Sequence, residues 1–127
     1  MGEQGWIGVD LDGTLANYDE WLGAGVIGEP VPLMRDRVMR WLNAGVDVRI
    51  MTARVAGDYA VVEERAIQNW CQEHLGRVLP VTCCKDHLMR ELWDDRAVRV
   101  VKNAGIVSDG REVIEPKVEP GDIGAVM

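Results

Sequence analysis

The feature that most constrains the fold of this chain is a short apolar run, Trp6 to Val9, that leads directly into Asp10 and Asp12. Continuous apolar runs of this length are typical of parallel strands that are buried on both faces. Ligands of open α/β sheets bind where such strands end. Two carboxylates at that position are unfavourable unless they bind a cation or take part in chemistry. The alternative is a turn in which both acids are solvated.

The rest of the chain alternates between helical and strand-like patterns. In chain order we predict a helix over Leu33 to Ala44, a strand over Val46 to Met51, a helix over Tyr59 to Leu75, strands over Val78 to Thr82 and Glu91 to Trp93, a short helix from Ala97 that ends near Gly105, and a last strand at Ile106 and Val107. This alternation predicts an α/β fold with a central parallel sheet and right-handed crossovers.

Local signals refine these elements. Gly45 suits the position after the first helix, and Asp58 is predicted to cap the second. Pro80 weakens the third strand or moves it to an edge of the sheet, because proline cannot donate a ladder hydrogen bond. Helical spacing predicts four inward-facing residues on the second helix: Val62, Ala66, Trp70 and Cys71.

The segment between Thr14 and Pro32, here called the flap, is rich in glycine and proline. It is predicted to be a long loop beside the end of the first strand. The length of 127 residues predicts a single domain. Its core is expected over about residues 5–107, and residues 108–127 are expected to form a polar C-terminal extension.

Charge and composition exclude several classes of protein. The net charge of −7 disfavours stable, sequence-blind binding to a nucleic-acid backbone. No apolar run approaches the length of a membrane-spanning helix, and the first residues lack the pattern of a signal peptide. We therefore expect a cytoplasmic protein with no membrane contact. The three cysteines fit neither a disulfide framework nor a zinc site and are interpreted as reduced core residues.

Each predicted strand is followed by residues that suit phosphate chemistry. They are Asp10 and Asp12 after the first strand, Thr52, Ala53 and Arg54 after the second, Lys85 after the third, and Asp94 and Asp95 after the fourth. The carboxyl ends of parallel strands share one edge of a sheet, so these residues are expected to converge. A phosphoryl group in transfer must be neutralised and aligned. Mg²⁺ accepts carboxylates together with phosphate and water, and a carboxylate can also act as a nucleophile.

In this order, the motif DLDGT, a threonine after an apolar strand, a downstream lysine and a late acidic pair resemble the haloacid dehalogenase-like (HAD) superfamily of phosphohydrolases. The resemblance covers residues 6 to about 107. It implies a three-layer, Rossmann-like α/β domain that requires Mg²⁺. It also implies that a phosphomonoester is hydrolysed through an aspartyl-phosphate.

The resemblance assigns roles to the acidic residues. Asp10 would be the nucleophile and a metal ligand. Asp12 would be the general acid and then the general base, with its backbone carbonyl on the metal. Asp94 would bind Mg²⁺ directly, and Asp95 would do so directly or through water.

The same resemblance assigns phosphate binding to neutral and basic residues. Thr52 and Ala53 would hold the transferring phosphoryl group, and Lys85 would offset the negative charge of Asp10 and the phosphate. Gly13 would allow the tight turn beside the phosphate, and Thr14 would fix that turn.

Several of these residues have an ordinary structural alternative. Thr52 could be a strand-end or cap residue, and Lys85 could be a solvated charge that pairs with Asp86. The acidic pair Asp94–Asp95 could cap a following helix.

Two further residues are candidates for substrate contact. Arg54 either binds the substrate phosphate or caps the loop that follows the second strand. Trp21, in the flap, either stacks on the substrate or packs against the protein.

Members of the HAD superfamily usually carry an inserted cap domain. The intervals from Thr14 to Met51 and from Thr52 to Lys85 are too short for one, so we expect a capless member with an open site. Such a site suits a large substrate, or closure by the flap or by a partner subunit in a homo-oligomer.

The local sequences IMTAR, KDHLM and WDDRAV are similar to small phage and bacterial members and to phosphatases of nucleotides and nucleic-acid ends. The expected substrate is a small phosphomonoester such as a nucleotide. Phosphorylated nucleic-acid ends, a phosphotransferase and a phospho-accepting signalling domain are the alternatives.

Overall fold

The computed structural model describes residues 5–108 and has an α/β architecture with a four-stranded sheet. The elements in chain order are β1 (Trp6–Val9), α1 (Pro32–Asn43), β2 (Asp47–Met51), a short 3-10 helix (Ala53–Val55), α2 (Ala60–Leu75), β3 (Val81–Thr82) and β4 (Met89–Trp93). The strand order across the sheet is β3-β2-β1-β4.

Every strand pair of this sheet is parallel, as the sequence predicts. β1 lies in the centre and pairs with β2 on one side and with β4 on the other, and β3 pairs with β2 at the edge. The carboxyl ends of all four strands therefore lie along one edge of the sheet. The flap, the 3-10 helix and the segments after β3 and β4 all leave from that edge.

The hydrophobic core lies between the sheet and its two helices. Alternate residues of β1 and β2 pack with residues of both helices in one cluster, so α1 and α2 cover the same face of the sheet. The most completely buried members of this cluster are Val9, Val38, Val48, Ile50, Ile67 and Cys71. Each aliphatic side chain buried in this way contributes about 1.5–3 kcal/mol to stability. On the opposite face, the guanidinium carbon of Arg49 lies 4.7 Å from the centre of the buried Trp6 ring.

The helix ends follow the predicted signals with one exception. α1 begins with Pro32, and Gly45 after it has φ +82°; Gly76 after α2 has φ +77°. Asp58 does not cap α2, so that prediction is wrong. The capping position is Tyr59, whose side chain makes no capping hydrogen bond. The helix starts two residues after Asp58, which is too late for the Asp58 carboxylate to reach the first free N–H groups.

The predicted inward face of α2 is wrong by one residue at its start. Val62 is 54% exposed, whereas Glu63 is 2% exposed. Glu63 lies on the same face as Ile67, Trp70 and Cys71, at the spacing of four, seven and eight residues that one side of a helix shows. The buried carboxylate has charged partners, which are described below.

The third strand is shorter than predicted and lies at the edge, as Pro80 indicates. Only Val81 and Thr82 pair with β2, and Pro80 takes part solely through its carbonyl oxygen, which accepts a hydrogen bond from Ile50 N at 2.8 Å. The chain then turns away from the sheet. Cys83 and Cys84 are consequently exposed, so their assignment to the core is wrong, whereas Cys71 is buried as predicted.

Residues 96–108 belong to a second compact unit, which begins at Arg96. These residues form no helix, contrary to the prediction. Val101 N donates instead to Ile106 O at 2.7 Å, and Val100 pairs with Val107 in an antiparallel bridge. Asn103 (φ +65°) and Gly105 (φ +72°) adopt the left-handed conformation in the turn between these two paired segments.

The predicted C-terminal extension, apart from residue 108, lies outside the described residues. Among residues 5–108, no helix has the length and the apolar character that crossing a membrane requires.

Candidate functional site

Three carboxylates meet at the carboxyl edge of the sheet. Oxygen atoms of Asp10, Asp94 and Asp95 all lie within 4.8 Å of one another. Asp10 directly follows β1 and the acidic pair directly follows β4, and the two strands are neighbours in the sheet. The backbone extends this pairing, because Asp10 N donates to Trp93 O at 2.9 Å. No helix follows Asp95 within residues 5–108, so the alternative in which the pair caps a helix is wrong.

Burial raises the pKa of Asp10 from 3.8 to about 7, and the carboxylates of Asp94, Asp95 and Asp12 act in the same direction. Loss of water disfavours the charged form, and nearby negative charges disfavour it further. A hydrogen bond with Asp95 adds to the shift. Below about pH 7, Asp10 therefore keeps a proton unless a cation joins the cluster.

The turn after Asp10 places Asp95 beside it. The hydroxyl of Thr14 lies 3.1 Å from Asp95 Oδ1 and 3.5 Å from Asp10 Oδ2, and it accepts a hydrogen bond from Asp95 N at 3.0 Å. Gly13 N donates to Ala16 O at 2.8 Å and so is used inside the turn. Gly13 has φ +88°, and a Cβ built there would lie 2.8 Å from Asp95 Oδ2. The absence of a side chain at Gly13 therefore makes room for the Asp95 carboxylate.

We expect Gly13→Ala to weaken binding of a divalent cation by about tenfold or more, since its methyl group must displace Asp95 and one ligand is worth a kcal/mol or more. Gly76→Ala is the matched control. Gly76 has a similar φ of +77° but has no atom within 4 Å of a built Cβ. Both variants incur about 1–2 kcal/mol of left-handed strain. Titration of each variant with Mg²⁺, followed by thermal shift, separates the two effects; equal Mg²⁺ responses would contradict this role for Gly13.

Asp12 is not part of this three-carboxylate cluster and binds Arg54. The Arg54 Nε donates to Asp12 Oδ2 at 2.7 Å, and Arg54 Nη2 donates to Asp12 Oδ1 at 2.8 Å. Such two-pronged contacts between guanidinium and carboxylate are strong and directional. The hydrogen bonds to Asp12 raise the pKa of Arg54, and those to Glu63 act in the same direction, against the effect of burial. Arg54 thus fixes the plane of the Asp12 carboxylate.

Arg54 also connects Asp12 to α2 and to the flap. Its Nη1 donates to Glu63 Oε1 at 3.0 Å and its Nη2 donates to Val26 O at 2.8 Å. The Trp21 ring lies over the guanidinium, with its centre 4.9 Å from the Arg54 Cζ. The side chains of Arg54 and Glu63 are only 5% and 3% exposed. In this structure Arg54 and Trp21 therefore contact each other.

The flap is held by hydrogen bonds at its base and at its middle. Asn17 N donates to Glu29 O at 2.8 Å, which closes the base. Gly25 N donates to Glu63 Oε1 at 2.9 Å, and Trp70 Nε1 donates to Gly28 O at 2.8 Å. The flap is therefore attached to α2 over much of its length.

Glu63 is the residue of this site that the sequence analysis missed. A signal was present, because extending the spacing of Ile67, Trp70 and Cys71 back by one turn reaches Glu63 rather than Val62. A glutamate on the apolar face of a helix requires a buried partner. Arg54 is the one arginine between the end of β2 and the start of α2, so the pair could have been proposed.

Thr52 is at the end of β2 and is 4% exposed. Its Oγ1 accepts a hydrogen bond from Arg54 N at 3.2 Å, which caps the 3-10 helix. Thr52 therefore acts as a cap residue, which is the structural alternative given above. Its hydroxyl hydrogen is still available as a donor to a ligand. Ala53 follows it and is exposed at the same edge.

Lys85 is not brought to the acidic cluster. It is exposed in the segment between β3 and β4, and among residues 5–108 it makes no hydrogen bond or ion pair. It is not one of the groups that shift the pKa of Asp10. It is also not paired with Asp86, which accepts hydrogen bonds from Trp6 Nε1 and Leu88 N, each at 2.9 Å.

The donor set of the acidic cluster suits a hard cation. Asp10, Asp94 and Asp95 offer carboxylate oxygens, which Mg²⁺ and Ca²⁺ prefer, rather than the sulfur and nitrogen ligands that zinc and copper favour. The excess of negative charge at Asp10 is itself relieved by such an ion. These residues therefore fit a divalent cation held by oxygen.

Comparison of the chain with protein-family models, with curated proteins and with solved structures finds no match in any of the three. Conclusions about its function therefore depend on its residues and their geometry.

Proposed function

We propose that this chain is a Mg²⁺-dependent phosphomonoesterase of the HAD type, with Asp10 as the nucleophile. The observation that carries the proposal is the meeting of Asp10 with Asp94 and Asp95, which the sequence separates by about eighty residues. Phosphoryl transfer requires a nucleophile at the place where a cation can neutralise the phosphate. The cluster provides both functions at one point.

In the proposed reaction, an oxygen of Asp10 attacks phosphorus as the bond to the leaving oxygen breaks, which gives an aspartyl-phosphate and an alcohol. Asp12 gives a proton to the leaving oxygen. It then takes a proton from the water that attacks phosphorus and releases Asp10. Bound Mg²⁺ supplies charge neutralisation and orientation of the phosphate. Since both Asp12 oxygens accept hydrogen bonds from Arg54, Asp12 must release one contact and take up a proton from solvent before it can protonate the leaving oxygen.

The phosphoryl oxygens have two candidate partners beyond the acids. Thr52 has a hydroxyl hydrogen available at the end of β2, and Lys85 carries an exposed ammonium on a flexible side chain. We propose that Lys85 turns toward the phosphate when substrate binds. The support is the position of Lys85 shortly after β3, because the carboxyl end of that strand lies at the same edge of the sheet as the acids.

The proposal also concerns the arrangement of the layers and the absence of a cap domain. We propose a HAD-type core without an inserted cap domain. Since α1 and α2 cover the same face of the sheet, residues 5–108 contribute two of the three layers that the resemblance implies. In support, only the flap lies between β1 and α1, and only the 3-10 helix and α2 lie between β2 and β3. The attachment of the flap to Glu63 and Trp70 suits a fixed wall beside the site rather than a separate lid domain.

We expect Mg²⁺ to stabilise the protein far more at about pH 8 than at about pH 5.5. Below its pKa of about 7, Asp10 is protonated and is a poor ligand, so protons compete with the metal. At a concentration of one hundred times Kd, a bound ligand adds about 2.7 kcal/mol to the free energy of unfolding. Thermal unfolding in EDTA and in Mg²⁺, at both pH values, measures this. The same increase at both pH values would argue against Asp10 as a ligand.

The function itself is tested by phosphate release from nucleotides, sugar phosphates and phosphorylated oligonucleotides, with and without Mg²⁺. We expect turnover of at least one small monoester, its loss in EDTA, and a reduction of about a hundredfold or more in Asp12→Ala, the usual range for a general acid. Phosphate release from no monoester, with Asp10 unmodified, overturns the proposal. Stable phosphorylation of Asp10 that lasts for hours favours a signalling domain instead.

A further inference from the structure

A cavity of about 290 Å³ lies next to Asp12 and Arg54. Its other walls come from the flap and include Tyr18, Asp19, Glu20 and Leu22. The cavity is thus bordered on one side by the residue that the proposed function makes the general acid, and on the other by a segment that this chain inserts between β1 and α1. The acidic cluster itself does not line it.

The inference rests on the proposed function, because that function decides which part of the substrate lies beside this cavity. Asp12 must reach the oxygen that leaves phosphorus, so the group attached to that oxygen occupies the space beside Asp12. The cavity is that space. It therefore receives the alcohol part of the substrate rather than the phosphate.

The electrostatic character of the cavity is negative. Three carboxylates line it, those of Asp12, Asp19 and Glu20, against one cation, Arg54. The positive charge of Arg54 is already shared by Asp12 and by the buried Glu63. Its Nε, Nη1 and Nη2 together donate to Asp12 twice, to Glu63 and to Val26 O, which leaves one of the five N–H groups of the guanidinium. An anionic group in the cavity would meet the carboxylates of Asp19 and Glu20 and no free cation among the described lining residues.

The size and apolar content of the cavity restrict its occupant further. Pockets for drug-sized ligands begin at roughly 300 Å³, so the space suits a small alcohol. Leu22, Val26 and Ile27 give it an apolar wall, while Tyr18 and Asn17 offer polar groups. A strand of nucleic acid would bring further phosphates to the same carboxylates.

We propose that this leaving-group cavity selects a small alcohol that is neutral or carries an amine, esterified with a single phosphate. It discriminates against alcohols that carry a carboxylate or a second phosphate, which includes nucleic-acid ends. The selectivity arises from Asp19 and Glu20 in the flap. The phosphate is bound at the acidic edge and does not contribute to this selectivity.

The test uses three probes of nearly equal size that differ in the charge of the alcohol. They are 2-aminoethyl phosphate (cationic), 2-hydroxyethyl phosphate (neutral) and phosphoglycolate (anionic). We expect kcat/KM to fall in that order, by about tenfold or more from the first probe to the last, since each exposed carboxylate near the charge contributes a factor of a few. The ratio should shrink in about 1 M salt, where charges are screened within roughly 3 Å.

Two double variants locate the source of the ratio. In Asp19→Asn/Glu20→Gln the preference for the cationic probe over the anionic probe should fall by about threefold or more. Asp47→Asn/Glu73→Gln removes the same charge from the opposite end of the molecule, where β2 begins and α2 ends, and should leave the ratio unchanged. If both variants lower the ratio equally, net charge rather than the cavity is responsible and the inference is overturned.

Binding without turnover distinguishes a failure of this inference from a failure of the proposed function. Calorimetric titration of Asp10→Asn with the same three probes in Mg²⁺ should reproduce the order of affinities. Equal affinities overturn the cavity assignment, even if the wild-type protein is a phosphatase. The expected order of affinities in a protein that hydrolyses no phosphomonoester of the wider panel supports the cavity and overturns the proposed function.

Discussion

Asp10→Asn is expected to reduce phosphate release by about a thousandfold or more, the range found when a covalent nucleophile is removed. The same variant should be more stable than the wild-type protein when no metal is present. Asn removes one negative charge from a group in which Asp94, Asp95 and Asp12 already repel Asp10. Loss of activity with a gain in stability distinguishes a functional acid from a structural one. Phosphate assays and denaturant unfolding in EDTA measure the two effects.

The gain in stability should depend on pH with a defined sign. Asp10 in the folded protein has a pKa of about 7, above its usual value of 3.8. The folded state therefore keeps a proton that the unfolded state releases, and this contribution is complete below about pH 4 and is lost as the pH rises through 7. The advantage of Asp10→Asn should accordingly increase between about pH 4 and 7 and then remain constant.

Asp47→Asn is the control for this pH dependence. Asp47 is exposed at the start of β2 and pairs with Arg49 at 2.9 Å, so its replacement should change stability by less than about 1 kcal/mol. An Asp10→Asn variant that is less stable than wild type in EDTA at about pH 8 would mean that the Asp10 carboxylate stabilises the fold.

The convergence of the acids could be predicted from the sequence because it follows from backbone topology. An apolar run followed by DxDG identifies the end of β1, and the weaker strand pattern from Glu91 to Trp93 identifies the end of β4 before Asp94. In a parallel sheet these ends must share an edge, whatever the side chains do. The same reasoning located Thr52. Topology therefore accounts for the elements and for the edge at which the candidate site lies.

The partners of the side chains within the site could not be predicted from the sequence in the same way. The sequence predicts that Arg54 binds substrate or caps a loop, whereas its partners in the structure are Asp12 and the buried Glu63. A shift of one residue along α2 separates Val62, which is exposed, from Glu63, which is buried, and helical periodicity does not resolve one residue near a helix end. Lys85 shows a second limit of prediction from the sequence. The topology fixes the segment that carries Lys85, but it does not fix the position of a flexible side chain that is exposed.

Arg54→Met is expected to lower the free energy of unfolding by about 3–5 kcal/mol, the usual effect of removing one partner from a buried ion pair. Glu63 is 2% exposed and would be left with a charge that neither water nor a cation compensates. This is a large share of the roughly 5–15 kcal/mol that stabilises a typical domain. Urea unfolding of the variant and the wild-type protein measures it.

Arg49→Met provides a matched control, because Arg49 also makes two hydrogen bonds to one aspartate, at 2.9 and 3.2 Å from Asp47. The side chain of Arg49 is 32% exposed, whereas that of Arg54 is 5% exposed. The exposed pair should contribute no more than about 1 kcal/mol. Similar losses in the two variants would show that burial of the Arg54 pair has no energetic consequence.

The double variant Arg54→Met/Glu63→Gln then identifies the origin of the loss. The Glu63→Gln change is expected to keep a side-chain oxygen for the Gly25 N–H, which now donates to Glu63 Oε1 at 2.9 Å, and it leaves no charge to be compensated. The double variant should therefore be more stable than Arg54→Met alone, with a coupling free energy of about 1–3 kcal/mol between the two positions. A double variant no more stable than Arg54→Met would assign the loss to Asp12 and the flap carbonyl of Val26 instead. Recovery of stability without recovery of phosphate release would show that Arg54 both neutralises Glu63 and orients Asp12, because only the first of these functions can be replaced by removing a charge.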